Sequence, residues 1–186
     1  MPAGKETALK MRVAVDNRNV GKFDSAIAAF AEILKQNPNQ LTVQIEAART
    51  YQMRGASEKP DWYGSAIKGG SGPADSIWGW GKLSQMTRSN QKFRDTFHQA
   101  RYNIAVCRAE WAKTYKDADK KRQELELAKD DIRNTRDFES TLGGDKWKLK
   151  YDKLLRSIQK ELGQPVIGLM EFEPKTVESA ATETKK

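Results

Sequence analysis

Apolar positions along this chain recur every three or four residues. Ala26, Ile27, Phe30, Ile33 and Leu34 form one such stripe, with Asp24, Glu32 and Lys35 on the polar side. Gly21 stands before the stripe as a break and Pro38 stands after it as a stop. Extending this reading along the chain predicts eight helices near 5–19, 23–36, 41–54, 60–68, 75–89, 92–116, 118–136 and 145–162. The last two rest on Leu125, Ala128, Ile132 and Thr135, then on Trp147, Tyr151, Leu154, Leu155, Ile158 and Leu162. Leu142-Gly143-Gly144-Asp145 separates them, with glycines able to take positive φ and Asp145 placed to cap the following helix. From Gly163 the pattern fades. The fold class expected is all-α.

The pattern also repeats. Ala26-x3-Phe30 followed by Pro38 resembles the second-helix signature of a tetratricopeptide repeat, with Gly21 in the matching turn. Gly55 follows Gly21 by 34 positions, and Ala47-Ala48-x2-Tyr51 matches the small-residue and tyrosine positions of a first helix. A degenerate third copy opens at Trp80-x2-Leu83, with Phe93 corresponding to Phe23, while Ser84 replaces the glycine and Thr96 the alanine. The resemblance implies an α-solenoid of antiparallel helix pairs. Repeats would lie near 7–40, 41–74 and 75–116, with a capping pair at 118–162 and an extended or disordered tail over 163–186.

The same resemblance implies a concave groove lined from the first helix of each repeat. Carried onto this chain, those positions are Met11, Val15, Arg18 and Asn19, then Ile45, Arg49, Gln52 and Met53, then Trp78, Gln85 and Arg88. The groove would be amphipathic and mildly basic, fitting a protein or peptide partner with some acidic groups. The family's two-carboxylate clamp is absent: Met11, Val15, Glu46, Trp78 and Lys82 stand at its positions.

Between Ala56 and Lys82 the second repeat is lengthened by about six residues and carries Trp62, Tyr63, Trp78 and Trp80. Such rings either fill the gap beside a short helix or serve as contact anchors. Trp80 holds a packing position of the repeat, which leaves Trp62 and Trp78 as the contact candidates.

Charge adds a second possibility. The net charge of +8 invites nucleic acid as an alternative partner, yet the surplus is spread thinly. The densest run, Lys120-Lys121-Arg122, lies among Asp117, Asp119, Glu124 and Glu126, as on a solvated helix face. Mean hydropathy is −0.79 and no apolar run is long enough to predict a membrane span. No basic start followed by an apolar stretch appears. A cytoplasmic protein is the simplest reading, and a processed product or a piece of a longer exported chain would read identically.

No catalytic set assembles. His98 and Cys107 are the single histidine and cysteine, nine residues apart on one expected helix. They point to opposite faces roughly 13 Å apart along the axis. Cys107 reads as a core residue beside Ile104 and His98 as a surface or rim residue. One histidine and one cysteine also leave no metal site of ordinary composition. Gly69-Gly70-Ser71-Gly72-Pro73 and Gly79-Trp80-Gly81-Lys82-Leu83 lack the spacing of phosphate-binding loops. The expectation is a scaffold without enzymatic activity, cofactor or metal.

Overall fold

The computed structural model describes residues 3–173, and these are all-helical. Eight α-helices run α1 Ala3–Asn19, α2 Phe23–Gln36, α3 Leu41–Ser57, α4 Trp62–Lys68, α5 Gly79–Thr87, α6 Arg94–Ala112, α7 Ala118–Phe138 and α8 Asp145–Glu161. Short 3-10 turns occur at Gly72–Ala74, Gln91–Phe93 and Gly168–Phe172.

Local chemistry sets most of the boundaries. Gly21 turns the chain out of α1 with φ +79°. α2 buries Phe23, Ala26, Ile27, Phe30, Ala31, Ile33 and Leu34, and ends before Pro38. Asp117 caps α7 by accepting from the Asp119 and Lys120 amides. At α8 the expected cap is displaced by one residue: Gly144, with φ +90°, holds the N-cap position and Asp145 opens the helix. There the carboxylate still complements the positive end of the helix dipole.

Each helix packs on its neighbours in sequence, and α3 also meets α1 and α5, α4 meets α6, and α6 meets α8. Two clusters of apolar side chains result. The first joins α1 to α6 through residues such as Ala14, Phe30, Leu34, Tyr51, Trp80, Leu83 and Ile104. The second joins α6, α7 and α8 through Ala105, Ala109, Leu125, Ile132, Tyr151, Leu155 and Ile158. α6 belongs to both. At 100° per residue its positions sort into four faces. Ala100, Ile104 and Cys107 face the first cluster, and Ala105, Ala109 and Ala112 the second. Arg101 and Arg108 face α7, where they pair with Asp131, and Arg108 also with Glu124. The fourth face is left for solvent.

Three expectations change. His98 is fully buried, not at a rim. Its room comes from Gly143, where an added Cβ would stand 2.4 Å from His98 Cδ2. The segment after Gly163, expected to be extended or disordered, is structured as far as residue 173. Leu169 enters the second core, its amide donates to Asp152 Oδ1, and Gln159 bonds both backbone groups of Gly168. Lys129 reaches Glu171 at 3.0 Å. Polar bonds fasten this segment, so no apolar stripe announces it. The rest of the tail, 174–186, lies outside the described residues. Finally, Arg18 and Trp78, expected in a groove, are both buried.

Candidate functional site

The open face of α6 forms the floor of a depression of about 570 Å³. α3 supplies Arg49, Gln52, Met53 and Ala56, the i, i+3, i+4, i+7 file of one helix face. α6 supplies Gln99, Tyr102, Asn103, Val106 and Glu110 in the same spacing. Tyr63 of α4 and Trp147 with Lys150 of α8 complete the lining. The floor is aromatic towards α8. Tyr102 lies 5.9 Å from the Trp147 ring and 5.7 Å from Tyr151, with the Lys150 ammonium 4.5 Å above Trp147. Burial pushes the Tyr102 phenol above its ordinary pKa, so it stays a neutral donor near neutral pH.

The wall made by α8 is bolted to α6 by polar bonds from its buried Trp147 and Tyr151 side chains. Trp147 Nε1 donates to Asp95 Oδ1 at 2.7 Å, and Tyr151 Oη donates to the His98 carbonyl at 3.1 Å. The Trp147 indole is the main cause of an Asp95 carboxyl held below the usual range; partial burial opposes it and Lys146 assists. His98 Nε2 is 3.0 Å from Glu139 Oε2, and Arg94 also pairs with Glu139. Burial lowers the His98 pKa, with the carboxylate opposing, so the ring is neutral near pH 7 and donates from Nε2 to Glu139.

The expected groove residues divide between several places. Arg49, Gln52 and Met53 meet in the depression. Gln52 Oε1 accepts from Trp80 Nε1 at 3.0 Å, while Arg49 pairs with Glu46 at 2.7 Å yet keeps 42% of its side chain exposed. Arg18 is spent inside, 2.5 Å from the other oxygen of the same Glu46. Asn19 is exposed beside it and accepts from Arg18 Nε. Trp78 is core: its amide donates to Gln44 Oε1, and Lys82 covers the ring at 5.0 Å. Trp62, half-buried, stacks on Tyr51 under the Arg54 guanidinium, 4.0 Å from the ring. Gln85 and Arg88 line a separate cleft of about 360 Å³ between α5, α6 and α7, where Arg88 covers Phe138 at 4.1 Å. Reading the groove from the first helices alone omits Tyr102, Trp147 and Lys150. The same spacing on α6 and α8 marks them as helix neighbours of the required kind.

A third hollow, of about 610 Å³ between α1, α2 and α3, is lined by aliphatic and uncharged polar side chains such as Met11, Ile33 and Gln40. It offers nothing to orient a ligand by charge. Cys107 is fully buried, and burial pushes its thiol far up, which leaves it a poor nucleophile. Among the described residues no group of three metal-ligating side chains gathers, and no helix is long and apolar enough to cross a membrane. No family model, curated protein or solved structure matches the chain.

Proposed function

We propose that the protein is a non-catalytic interaction scaffold of the tetratricopeptide-like kind, binding a peptide or protein surface in the depression between α3, α6 and α8. One observation carries the reading. Two helices from separate parts of the chain, α3 and α6, each turn a regular file of side chains toward one hollow, which Trp147 and Lys150 of α8 close with an aromatic ring and a cation opposite Arg49. Residues that merely fill a core do not leave Met53, Arg49 and Lys150 reachable around a shared cavity. Polar and charged side chains (Arg49, Gln52, Gln99, Asn103, Glu110 and Lys150) alternate with apolar and aromatic ones around it, the mixed composition of a surface that contacts another protein.

The contacts of alternate helices support the solenoid reading, since α1 meets α3, α3 meets α5, α4 meets α6 and α6 meets α8. Stacked hairpins bring first helices together on one side and second helices on the other. The depression differs from the family's groove in taking its floor from α6 and one wall from α8, both second helices of their pairs, and nothing from α5.

Affinity capture from the native cell lysate, with cross-linking and mass spectrometry, tests the proposal. The double variant Arg49→Glu, Met53→Glu changes exposed or half-exposed positions and is expected to keep its helicity. It should lose the partners that the unaltered protein retains. Identical partner sets for the two proteins would overturn the assignment of this surface.

A further inference from the structure

Lys146, Lys153 and Lys160 recur every seven residues along α8, and Leu149, Lys150 and Arg156 fill the same face between them. The file spans about 21 Å of helix. Six cations in one 17-residue helix would be unremarkable if acids were interleaved. They are not. At 100° per residue Asp145, Asp152 and Glu161 fall to either side of this face. Asp152 is engaged by Arg156 and the Leu169 amide, and Glu161 by Lys121. Asp95 of α6 pairs with Lys146 at 3.2 Å, and Lys150 stands near enough to help lower its carboxyl. Lys150, Lys153 and Lys160 have no ion pair among the described residues. Beyond Lys160 the band ends at Glu161, whose carboxyl is held below the ordinary range first by its hydrogen bond from Lys121 and then by the nearby charges of Lys113 and Lys160.

We infer that this outer face of α8 is a docking surface for an acidic polypeptide segment, helical and carrying an apolar side chain opposite Leu149. Charge complementarity selects the sign of the partner. Leu149 selects its kind. It is 56% exposed in the middle of the band, where a phosphate backbone would gain nothing from it. The nearest large ring on the helix, Trp147, is buried and gives no platform for a stacked base. A helix with carboxylates flanking a leucine or methionine matches both the cations and the seven-residue stride. The inference rests on the scaffold reading above, because Lys150 belongs both to this face and to the depression; the partner would enter the hollow from this side.

The test uses the full chain and a labelled acidic helical peptide with leucine at every third or fourth position, followed by fluorescence anisotropy. Expected is saturable binding at low salt, weakened about ten-fold by Lys153→Glu, Lys160→Glu and much less by Lys22→Glu, Lys35→Glu, an equal charge change on another surface. Leu149→Ala should weaken binding two- to five-fold without altering its salt dependence. Circular dichroism checks that each variant keeps its helices. The inference is overturned by equal losses in the two charge-reversed variants, by no binding at low salt, or by tighter binding of a single-stranded or duplex oligonucleotide. The variant Arg49→Glu, Met53→Glu separates the two proposals. Loss there with none at Lys153 and Lys160 removes the α8 inference and leaves the depression standing, and the converse removes the depression.

Discussion

Replacing Glu139 by glutamine probes the cluster that holds the turn between α7 and α8 against α6. Glu139 takes hydrogen bonds from the Thr141 hydroxyl, the His98 ring and the Gly143 amide, and pairs with Arg94. Partial burial pushes its carboxyl up, but those bonds outweigh it and hold the pKa at about 2 against an ordinary 4.5. A carboxyl depressed in the folded state stabilises it fully above the unfolded value, and that contribution is lost as pH falls towards the folded value. At about 1.4 kcal/mol per pH unit the depression amounts to about 3 kcal/mol at neutral pH. About 1.4 kcal/mol of this is gone by pH 3.5.

His98 acts in the same direction over a higher window. Its folded pKa lies below 6.5, so acidification below that point protonates the unfolded chain first and lowers stability. Glu139→Gln keeps a buried histidine while removing the carboxylate. Urea unfolding at pH 7, 5, 4 and 3.5, followed by far-ultraviolet circular dichroism, should show the variant less stable at pH 7. The gap from the unaltered protein should narrow towards pH 3.5 by at most about 1.4 kcal/mol, because loss of the carboxylate also lowers the His98 pKa further and makes the variant itself more acid-sensitive. A gap that stays constant over this range would refute the assignment of Glu139 as the acid-sensitive member of the cluster.

Three further outcomes follow from buried contacts. Gln44 is fully buried, donates to the Pro38 and Ser76 carbonyls and accepts from the Trp78 amide. Gln44→Leu should cost about 3 kcal/mol or more in urea unfolding, because three backbone groups lose a partner, and a loss below about 1 kcal/mol would contradict that network. Gly143→Ala combines a positive φ with a clash against the His98 ring and should lower the stability by about 2 kcal/mol or more, read from the same titration. Cys107 should resist a thiol reagent in the native protein and react fully once denaturant is added; rapid native reaction would mean that α6 is not covered on that side.

The elements read from periodicity and punctuation stand where the pattern is clean. For α2, Gly21 and Pro38 bracket a single apolar stripe, and the helix ends where those residues end it. α5 and α6 were expected over 75–89 and 92–116 and are shorter at both ends. Gly79, with φ +65°, begins one helix only after the 3-10 turn, and the Thr114 hydroxyl bonds the Trp111 carbonyl beyond the end of the other. Burial of polar and aromatic side chains was far less legible. Nothing near Gln44 in sequence shows that Ser76 and Trp78 will close over it, and His98 is buried only because a glycine 45 residues later makes room. Within the site, Arg49, Gln52 and Met53 were legible as one face of α3. The rest of the hollow depends on how α6 is flanked, which is settled by contacts distant in sequence.

That flanking explains why the depression sits where it does. Glu46 bridges two arginines, and the geometry distributes them unequally: Arg18 is drawn into the packing of α1 on α3, while Arg49 one turn further is left at the edge. An arginine held by a partly buried carboxylate on one side and open on the other is oriented without being consumed. Across the hollow, alanines on one flank of α6 pack into the cluster shared with α8, and Cys107 with Ala100 on the other flank pack into the cluster shared with α3. Bulkier residues at those positions would push the two helices away from α6 and flatten the cleft over Tyr102 and Asn103. The small residues that read as core filling therefore also set the depth of the surface, and the fold and the proposed recognition site share one cause.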